Sequence, residues 1–460
     1  MLTFLWPATS AAAGLTIEDA VRLALQNNER ARKAPLRVEI ADGQLDRARD
    51  AFFPTIIGSG VGTYKPDPGP RVPNTTTSGA LTLNQPLLNP SAFPQYAQQR
   101  HSLESEKWGS AQDKRQLAFD TAKAFIQTLA LEGVLSSAKR KADTANLNLD
   151  AARARAEAGL ASTNDVTKAE LQLTTSQGQL AIAQGNVAKT YISLSFLVGQ
   201  QVTPPLVAPD NTTKAAERYE QSQKNQVKSA LERRTEAVKA AQDRRPDVRS
   251  LHEKTEALRF AAQEPLYRLI PSISAAGQMR FVPDPLPSEK AIDEQVSVNL
   301  NWPIFDAGFR YADRKQRVAQ LESSKLDENL LLRSVQTDLE IALASLRAAR
   351  QSFKSAEDAV STAQKNTEET LILYKQGLAK AIEVNDANDK QFEAEVTRES
   401  AKLTMEQAYL DLRNALGFGP IDDAGKSPAG NDAGKSPAGG DPGKSPAGNE
   451  GAGARTEEAK

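Results

Sequence analysis

Between Ser91 and Ala158, apolar and small residues return every three or four positions. Leu117, Thr121, Ala124, Thr128, Leu131, Leu135, Ala138, Ala142, Ala145, Leu149, Ala152 and Ala156 step by four and three without a miss. A sustained period near 3.5 residues predicts an α-helix packed in left-handed coiled-coil fashion. About 68 residues at 1.5 Å each make a rod of roughly 100 Å, too long for a globular core. The same seam returns 218 positions later, as Val335, Leu339, Ala342, Leu346, Ala349, Phe353, Ala356, Val360, Ala363, Thr367, Thr370 and Tyr374. So many alanines permit close helix approach and leave each helix under-buried by itself. A second pattern has period two. Val296, Val298, Leu300 and Trp302 alternate with Ser297, Asn299 and Asn301, and Leu81 and Leu83 alternate with Thr82 and Asn84. This is a strand with one apolar and one small-polar face. In a soluble sandwich the apolar face would turn inward; in a membrane barrel it would meet lipid while the polar face lined water. One strand cannot choose between these.

Four echoes in the same order make the chain an internal duplication of roughly 200-residue units. "FPTIIGSG" from Phe53 matches "IPSISAAG" from Ile270, and "LTLNQPLLNPS" from Leu81 matches "VNLNWPIFDAG" from Val298, both at an offset of 217. "AEAGLASTNDV" from Ala156 matches "YKQGLAKAIEV" from Tyr374, and the closing Gly199 matches Gly417, both at 218. Each unit reads as a helix, a strand, a Pro-rich loop, a second strand ended by proline, and a long helical hairpin with a Gly-Leu-Ala turn. Residues 15–53 read as the first opening helix, with Thr16 as its cap and Glu18 and Asp19 in its first turn. The boundaries that follow are 1–13 for a signal-peptide remnant, 14–203 for the first repeat, 204–245 for a connecting equatorial segment, 246–420 for the second repeat and 421–460 for a tail. The tail repeats "DAGKSPAGN" three times with small changes, a composition that builds no core. Its Gly-Lys-Ser is followed each time by proline and lacks the strand and helix a phosphate loop requires.

Composition narrows the function. The 57 Lys and Arg nearly cancel the 58 Asp and Glu, which argues against nucleic-acid binding led by charge. The chain has no cysteine, which removes disulfides, thiolate metal sites, a cysteine nucleophile and an N-terminal lipid anchor. Its two histidines, His101 and His252, stand alone in polar helical contexts and read as solvated rather than as ligands or catalysts. No catalytic residue, metal site or cofactor motif emerges, so the chain does not read as an enzyme. No run of 18 apolar residues occurs, so a membrane crossing would fall to strands closed into a barrel. At the N-terminus an apolar stretch precedes Ala11-x-Ala13, as at the end of a secretory signal cleaved after Ala13, although the basic n-region is missing.

The duplicated strand–strand–helical-hairpin unit resembles the TolC-like outer-membrane efflux protein family (outer membrane factors). The likeness runs from about Leu15 to Gly417. It is carried by Leu-Thr-Ile-Glu-Asp-Ala at 15–20, Arg-Pro-Asp-Val at 245–248, the strand starts and the two Gly-Leu-Ala turns. The resemblance implies a mainly α fold with a small β part, assembled as a homotrimer whose 12-stranded β-barrel joins a long α-helical barrel. It would sit in the outer membrane of a Gram-negative bacterium, touching membrane lipid and reaching through the periplasm. There it would meet a periplasmic adaptor protein and, indirectly, an inner-membrane transporter. Its function would be a passive exit duct for a tripartite efflux or type I secretion system. The alternative is a structural periplasmic coiled-coil spacer or adhesin-like stalk with no channel.

The resemblance also implies roles for individual residues. Gly159, Leu160 and Ala161, with Gly377, Leu378 and Ala379, would be the adaptor-docking tips, although glycine turn chemistry alone accounts for the glycines. Glu383 and Asp386, three apart on one helical face, match acids at the periplasmic aperture; the plain alternative is a pair of solvated charges. Asp165 and Tyr374 match a hydrogen-bonded gate pair. The family's gate arginine is here Ala379, with Lys380 beside it, and Asn385 stands where leucine is usual. Trp302 would mark the membrane interface, with Phe305, Phe309 and Tyr311 beside it.

Overall fold

The computed structural model describes residues 14–67, 74–208, 230–283, 285 and 290–421, with the backbone alone for 230–234. The expected signal remnant at 1–13, the tips of both Pro-rich loops, residues 209–229 of the connecting segment and the repeat tail from 422 onward lie outside the described residues. Contacts divide the chain into Met1–Pro420 and Ile421–Lys460, and every element below belongs to the first unit.

The opening helix is two helices, α1 (Ile17–Asn27) and α2 (Glu29–Asp50). Thr16 caps α1 as expected, its hydroxyl accepting from Asp19 N at 3.2 Å. The break comes at Asn28, whose side chain does three things at once. Its Oδ1 accepts from Arg30 N at 2.9 Å to start α2, while Nδ2 donates to the carbonyls of Leu197 and Phe196 at 2.9 and 3.3 Å. A single uninterrupted helix would leave those two orphan carbonyls at the end of the long hairpin unsatisfied.

Strands β1 (Thr55–Tyr64), β2 (Thr75–Leu88), β3 (Ser272–Phe281) and β4 (Ile292–Asn301) form one antiparallel sheet in chain order. The register decides the faces. Ile56, Leu83, Gly277 and Val296 lie in one cross-strand row, and Leu81 with Met279 and Leu300 with Ile273 fall on that face too. The other face carries Ile57, Thr82, Gln278 and Gln295 in one row and Thr55, Asn84, Ala276 and Ser297 in another. Each face is thus largely consistent across all four strands, with Ile57 and Val61 on the polar face and Gln85 and Glu294 on the apolar face as exceptions. No described helix packs against the sheet beyond stray contacts, and Val296 on the apolar face is 86% exposed.

Pro86 does not end β2 as expected. The strand continues to Leu88 through a register shift. β1 pairs with β2 only as far as Asn84, so Pro86 sits where one flank of β2 is unpaired and a missing N–H costs nothing. Pro303 does follow the end of its strand, at Asn301.

The long helices obey the seam. α3 (Ala92–Glu157) has 66 residues, about 100 Å, and returns through α4 (Thr163–Val198). In the second half α5 (Ala230–Arg244) and α6 (Pro246–Tyr267) precede the β3–β4 hairpin, then α7 (Phe309–Lys375) returns through α8 (Ala381–Ala415). Every seam position of both series is buried or half-buried. Leu339, Ala342, Leu346 and Ala349 of α7 pack with Met405, Ala408, Tyr409 and Leu412 of α8. α3 packs on α4 and α7 on α8. α3 also meets α8, which leaves α4 and α7 without comparable contact to each other.

α5 lies in the segment read as a connector, yet it stands where the second repeat should carry its α1. The closing glycines show the equivalence. Gly199 (φ +75°) lies against Asn27 and Gly417 (φ +82°) against Arg244, each the last residue of its short helix, so that an added Cβ would come within 3.0 and 2.9 Å of theirs. Asn27 and Arg244 are themselves separated by the repeat offset.

Candidate functional site

Two turns carry the tips. α3 ends in Gly159 and α7 in Gly377, both left-handed at φ +75° and +77°, which lets the chain reverse within a few residues. Leu160 and Leu378 then project outward, each 74% exposed. A plain turn has no need of an exposed leucine. Ala161 and Ala379 are half-buried behind them.

Asp165 and Tyr374 are not brought together within the chain. The Asp165 carboxylate closes a capping box on α4, accepting from Ser162 N at 3.1 Å and Ser162 Oγ at 3.0 Å, while Ser162 Oγ accepts from Asp165 N. The bond from the Ser162 backbone N–H, helped by its hydroxyl, holds this carboxyl below the usual carboxylate range. Tyr374 instead lies under the Arg155 guanidinium, 4.5 Å from ring centroid to Cζ. Sequence reasoning missed Arg155; its one signal was a basic residue in the last turn of α3.

Glu383 and Asp386 both reach the surface at the start of α8, lining an open crevice of about 650 Å³ with Lys168, Asn366 and Asp389. Asp386 is not a bare charge. Lys390, one turn on, donates to it at 2.6 Å, and this bond raises the Lys390 pKa. Asp389 is held by Lys141 Nζ and Gln172 Nε2, each at 2.7 Å, and that ammonium also stands 4.6 Å over the Phe392 ring. Among the described residues Glu383 has no side-chain partner. The i,i+4 spacing of Asp386 and Lys390 was legible beforehand; the tie of Asp389 to α3 and α4 was not.

At the other end of the helices, the strand-to-helix junctions are built twice. Trp302 Nε1 donates to the Leu269 carbonyl at 3.0 Å, and Gln85 Nε2 donates to the Phe52 carbonyl at 3.2 Å. Both donors and both acceptors are related by the repeat offset, so tryptophan and glutamine perform one bond. Trp302 therefore carries a structural bond as well as an exposed ring. Phe305, Phe309 and Tyr311 are exposed around it. In the first repeat the aromatics come from elsewhere. Phe52 packs with Phe93 and Tyr96 at 5.2 and 6.4 Å, beside an exposed Phe53. Comparing position 85 with 302 alone hid this second aromatic cluster.

The histidines are not simply solvated. His101 Nδ1 meets Glu253 at 2.7 Å and stacks on Phe260, and His252 Nδ1 meets Glu328 at 2.9 Å. They join α6 to α3 on one side and to α7 on the other. Among the described residues no group of His, Asp and Glu is arranged to hold a metal ion, and no helix is long and apolar enough to cross a membrane.

Comparison with known proteins agrees on one relationship. The family model described as outer membrane efflux protein matches residues 20–200 and 237–418. The outer membrane efflux protein BepC of Brucella suis is 24% identical over 428 residues, covering 90% of this chain and 88% of its own. The outer membrane protein TolC of Vibrio cholerae is 21% identical over 379 residues, covering 80% and 83%. Among solved structures, the transmembrane channel CusC superposes with a TM-score of 0.74 at 17% identity, over 90% of this chain and 96% of that one.

Proposed function

Since the chain belongs to the outer membrane efflux protein family, we propose that it works as the passive exit duct of a tripartite exporter, assembled as a homotrimer. The protein is an outer-membrane efflux channel, with its strands in the outer membrane and its helices in the periplasm. The observation that carries the finer reading is the bare sheet. One face is mainly apolar along four strands, no helix among the described residues covers it, and β1 and β4 each keep an edge unpaired among the described residues. In hydrocarbon an open edge costs several kcal/mol per unpaired group, so the edges must close on other copies. Three protomers of four strands give the expected 12-stranded barrel, apolar face to lipid and polar face to water. The helices repeat this order, because α4 and α7 lie at the flanks as β1 and β4 do. A soluble spacer would leave Val296, Val298 and Leu300 facing water.

The exposed leucines of the two tips supply six apolar knobs per trimer for a periplasmic adaptor, through which an inner-membrane transporter couples indirectly. The acids at Glu383 and Asp386 border the aperture, and the aromatics around Trp302 and Phe53 sit at the membrane interface. Reconstitution in planar bilayers tests the reading. A trimer in detergent and stepwise conductance are expected, and a monomer that produces no conductance and is released from membranes by carbonate would overturn it.

A further inference from the structure

We infer that Arg333 crosses to a second copy of this chain and caps the C-terminal end of that copy's α4, as Arg115 caps the end of α8 within the chain. The inference rests on the homotrimer reading and names a specific tie between its copies. The template lies inside the protomer. Arg115, on α3, donates through Nε to the Phe418 carbonyl at 3.1 Å and through Nη2 to the Asn414 carbonyl, two acceptors left open where α8 ends. Shifted by the repeat offset of 218, Arg115 becomes Arg333 on α7, while Asn414 and Phe418 become Phe196 and Gln200 at the end of α4. Within one chain these do not meet, since α4 and α7 have no comparable contact with each other. The Arg333 side chain is exposed and has no partner among the described residues. The acceptors are open as well. Asn28 reaches the Leu197 carbonyl at 2.9 Å but that of Phe196 only at 3.3 Å, and no donor among the described residues reaches that of Gln200. A guanidinium suits the task, because its forked donors span two carbonyls at the negative end of a helix.

Other levels of the two flanks fit the same seating. Where Lys123 pairs with Asp411 between α3 and α8, the counterparts are exposed Ile341 on α7 and Ser193 on α4, beside exposed Ile192 and Phe196. Gly133 lies so close to Glu399 that an added Cβ would come within 2.8 Å of its carboxyl carbon. Their counterparts, Gln351 and Ala181, are both exposed and exchange which side is large, so the pair keeps about the same bulk. Where Lys141 meets Asp389, the flanks present Ala359 and Leu171. Where Arg140 meets Glu395, they present Asp358 and Gln177, a carboxylate and an amide that can donate to it. At each of these levels a second copy seated as α3 sits on α8 opposes no like charges. It also covers apolar side chains that otherwise face water.

Full-length protein in mild detergent tests this. The chain has no cysteine, so the double variant Ala181→Cys with Gln351→Cys places one thiol pair at each junction between copies. Oxidation is expected to link copies into covalent dimers and trimers, which neither single variant should form. A second arm measures the cap. Losing a charge-assisted hydrogen bond weakens each junction by about tenfold, hence three by roughly a thousandfold, so Arg333→Gln should raise the concentration of half-dissociation about thirtyfold. Lys354→Gln removes an exposed cation whose counterpart, Ser136, is also exposed, and should dissociate as wild type. A trimer whose paired cysteines do not link is seated differently, and the inference falls. It falls equally if Arg333→Gln dissociates as wild type, or if Lys354→Gln weakens the trimer as much. Wild-type protein that stays monomeric at every concentration would instead sink the homotrimer reading.

Discussion

The proposed place of Glu383 and Asp386 at the aperture yields a sharp prediction, because the acids near the second tip are accompanied by lysines. Asp386 and Lys390 form a pair at 2.6 Å, whereas Glu383, in the same crevice, has no side-chain partner among the described residues. A unit charge about 10 Å from a pore axis contributes roughly 0.4 kcal/mol in water, so a change repeated in three protomers is worth about 1.2 kcal/mol unscreened. At 0.1 M salt the screening length is near 10 Å, which reduces this to about 0.4 kcal/mol. Cations and anions shift in opposite senses, so the cation-to-anion permeability ratio changes by roughly fourfold. Glu383→Gln is expected to lower the ratio by that factor and Lys390→Gln to raise it. The double variant Asp386→Asn with Lys390→Gln removes a neutral pair, so it should leave the ratio within about twofold of wild type. The assay is the reversal potential across a KCl gradient, repeated at higher salt, where all shifts should shrink. An unchanged ratio in Glu383→Gln would refute the reasoning. So would a double variant that shifts as far as Glu383→Gln, because the pair would then not be acting as a unit.

Three further outcomes follow from single contacts. Trp302→Phe deletes the side-chain bond to the Leu269 carbonyl, and Gln85→Leu deletes the bond to Phe52 and a second to Pro86, so each is expected to cost about 1 kcal/mol or more per protomer in denaturant unfolding; a cost in one alone would undo their equivalence. Gly417→Ala forces a Cβ into Arg244 at 2.9 Å from a left-handed backbone, and should lower stability by about 2 kcal/mol or more. Gly43→Ala, in open space on α2, should be neutral or stabilising in the same assay. Hydrogen bonding to Glu328 raises the His252 pKa. Its stabilisation is therefore fully present below the unfolded value near 6.5 and is lost as pH climbs through the higher folded value. His252→Gln should flatten that part of the pH–stability curve, and an unaltered slope would exclude the histidine as its source.

Much of the architecture follows from local rules alone. Steps of three and four along each long helix allow one seam, and every residue on it is buried or half-buried. A single-residue register is enough to put Val296, Val298 and Leu300 on one face of β4. The repeat offset, read from the chain, relates bonds as specific as those of Gln85 and Trp302. The tip glycines needed no tertiary information either, because a helix that reverses within a few residues calls for a left-handed backbone.

Tertiary structure decided whatever depended on a distant competitor for the same polar group. Asn28 breaks the opening helix because carbonyls 168 and 169 residues away claim its amide. Pro86 stays in its strand because the neighbouring strand begins too late to need its N–H. Tyr374 meets Arg155 of the other hairpin, a pairing no local rule gives, whereas the Asp165 carboxylate is taken by a local capping box with Ser162, three residues away. Which face of the sheet needs lipid was undecidable from one strand, since alternation is the same in a sandwich and in a barrel. Four strands in register with no described helix packed on them make the choice, because burial is a property of what lies opposite a residue and not of the residue itself.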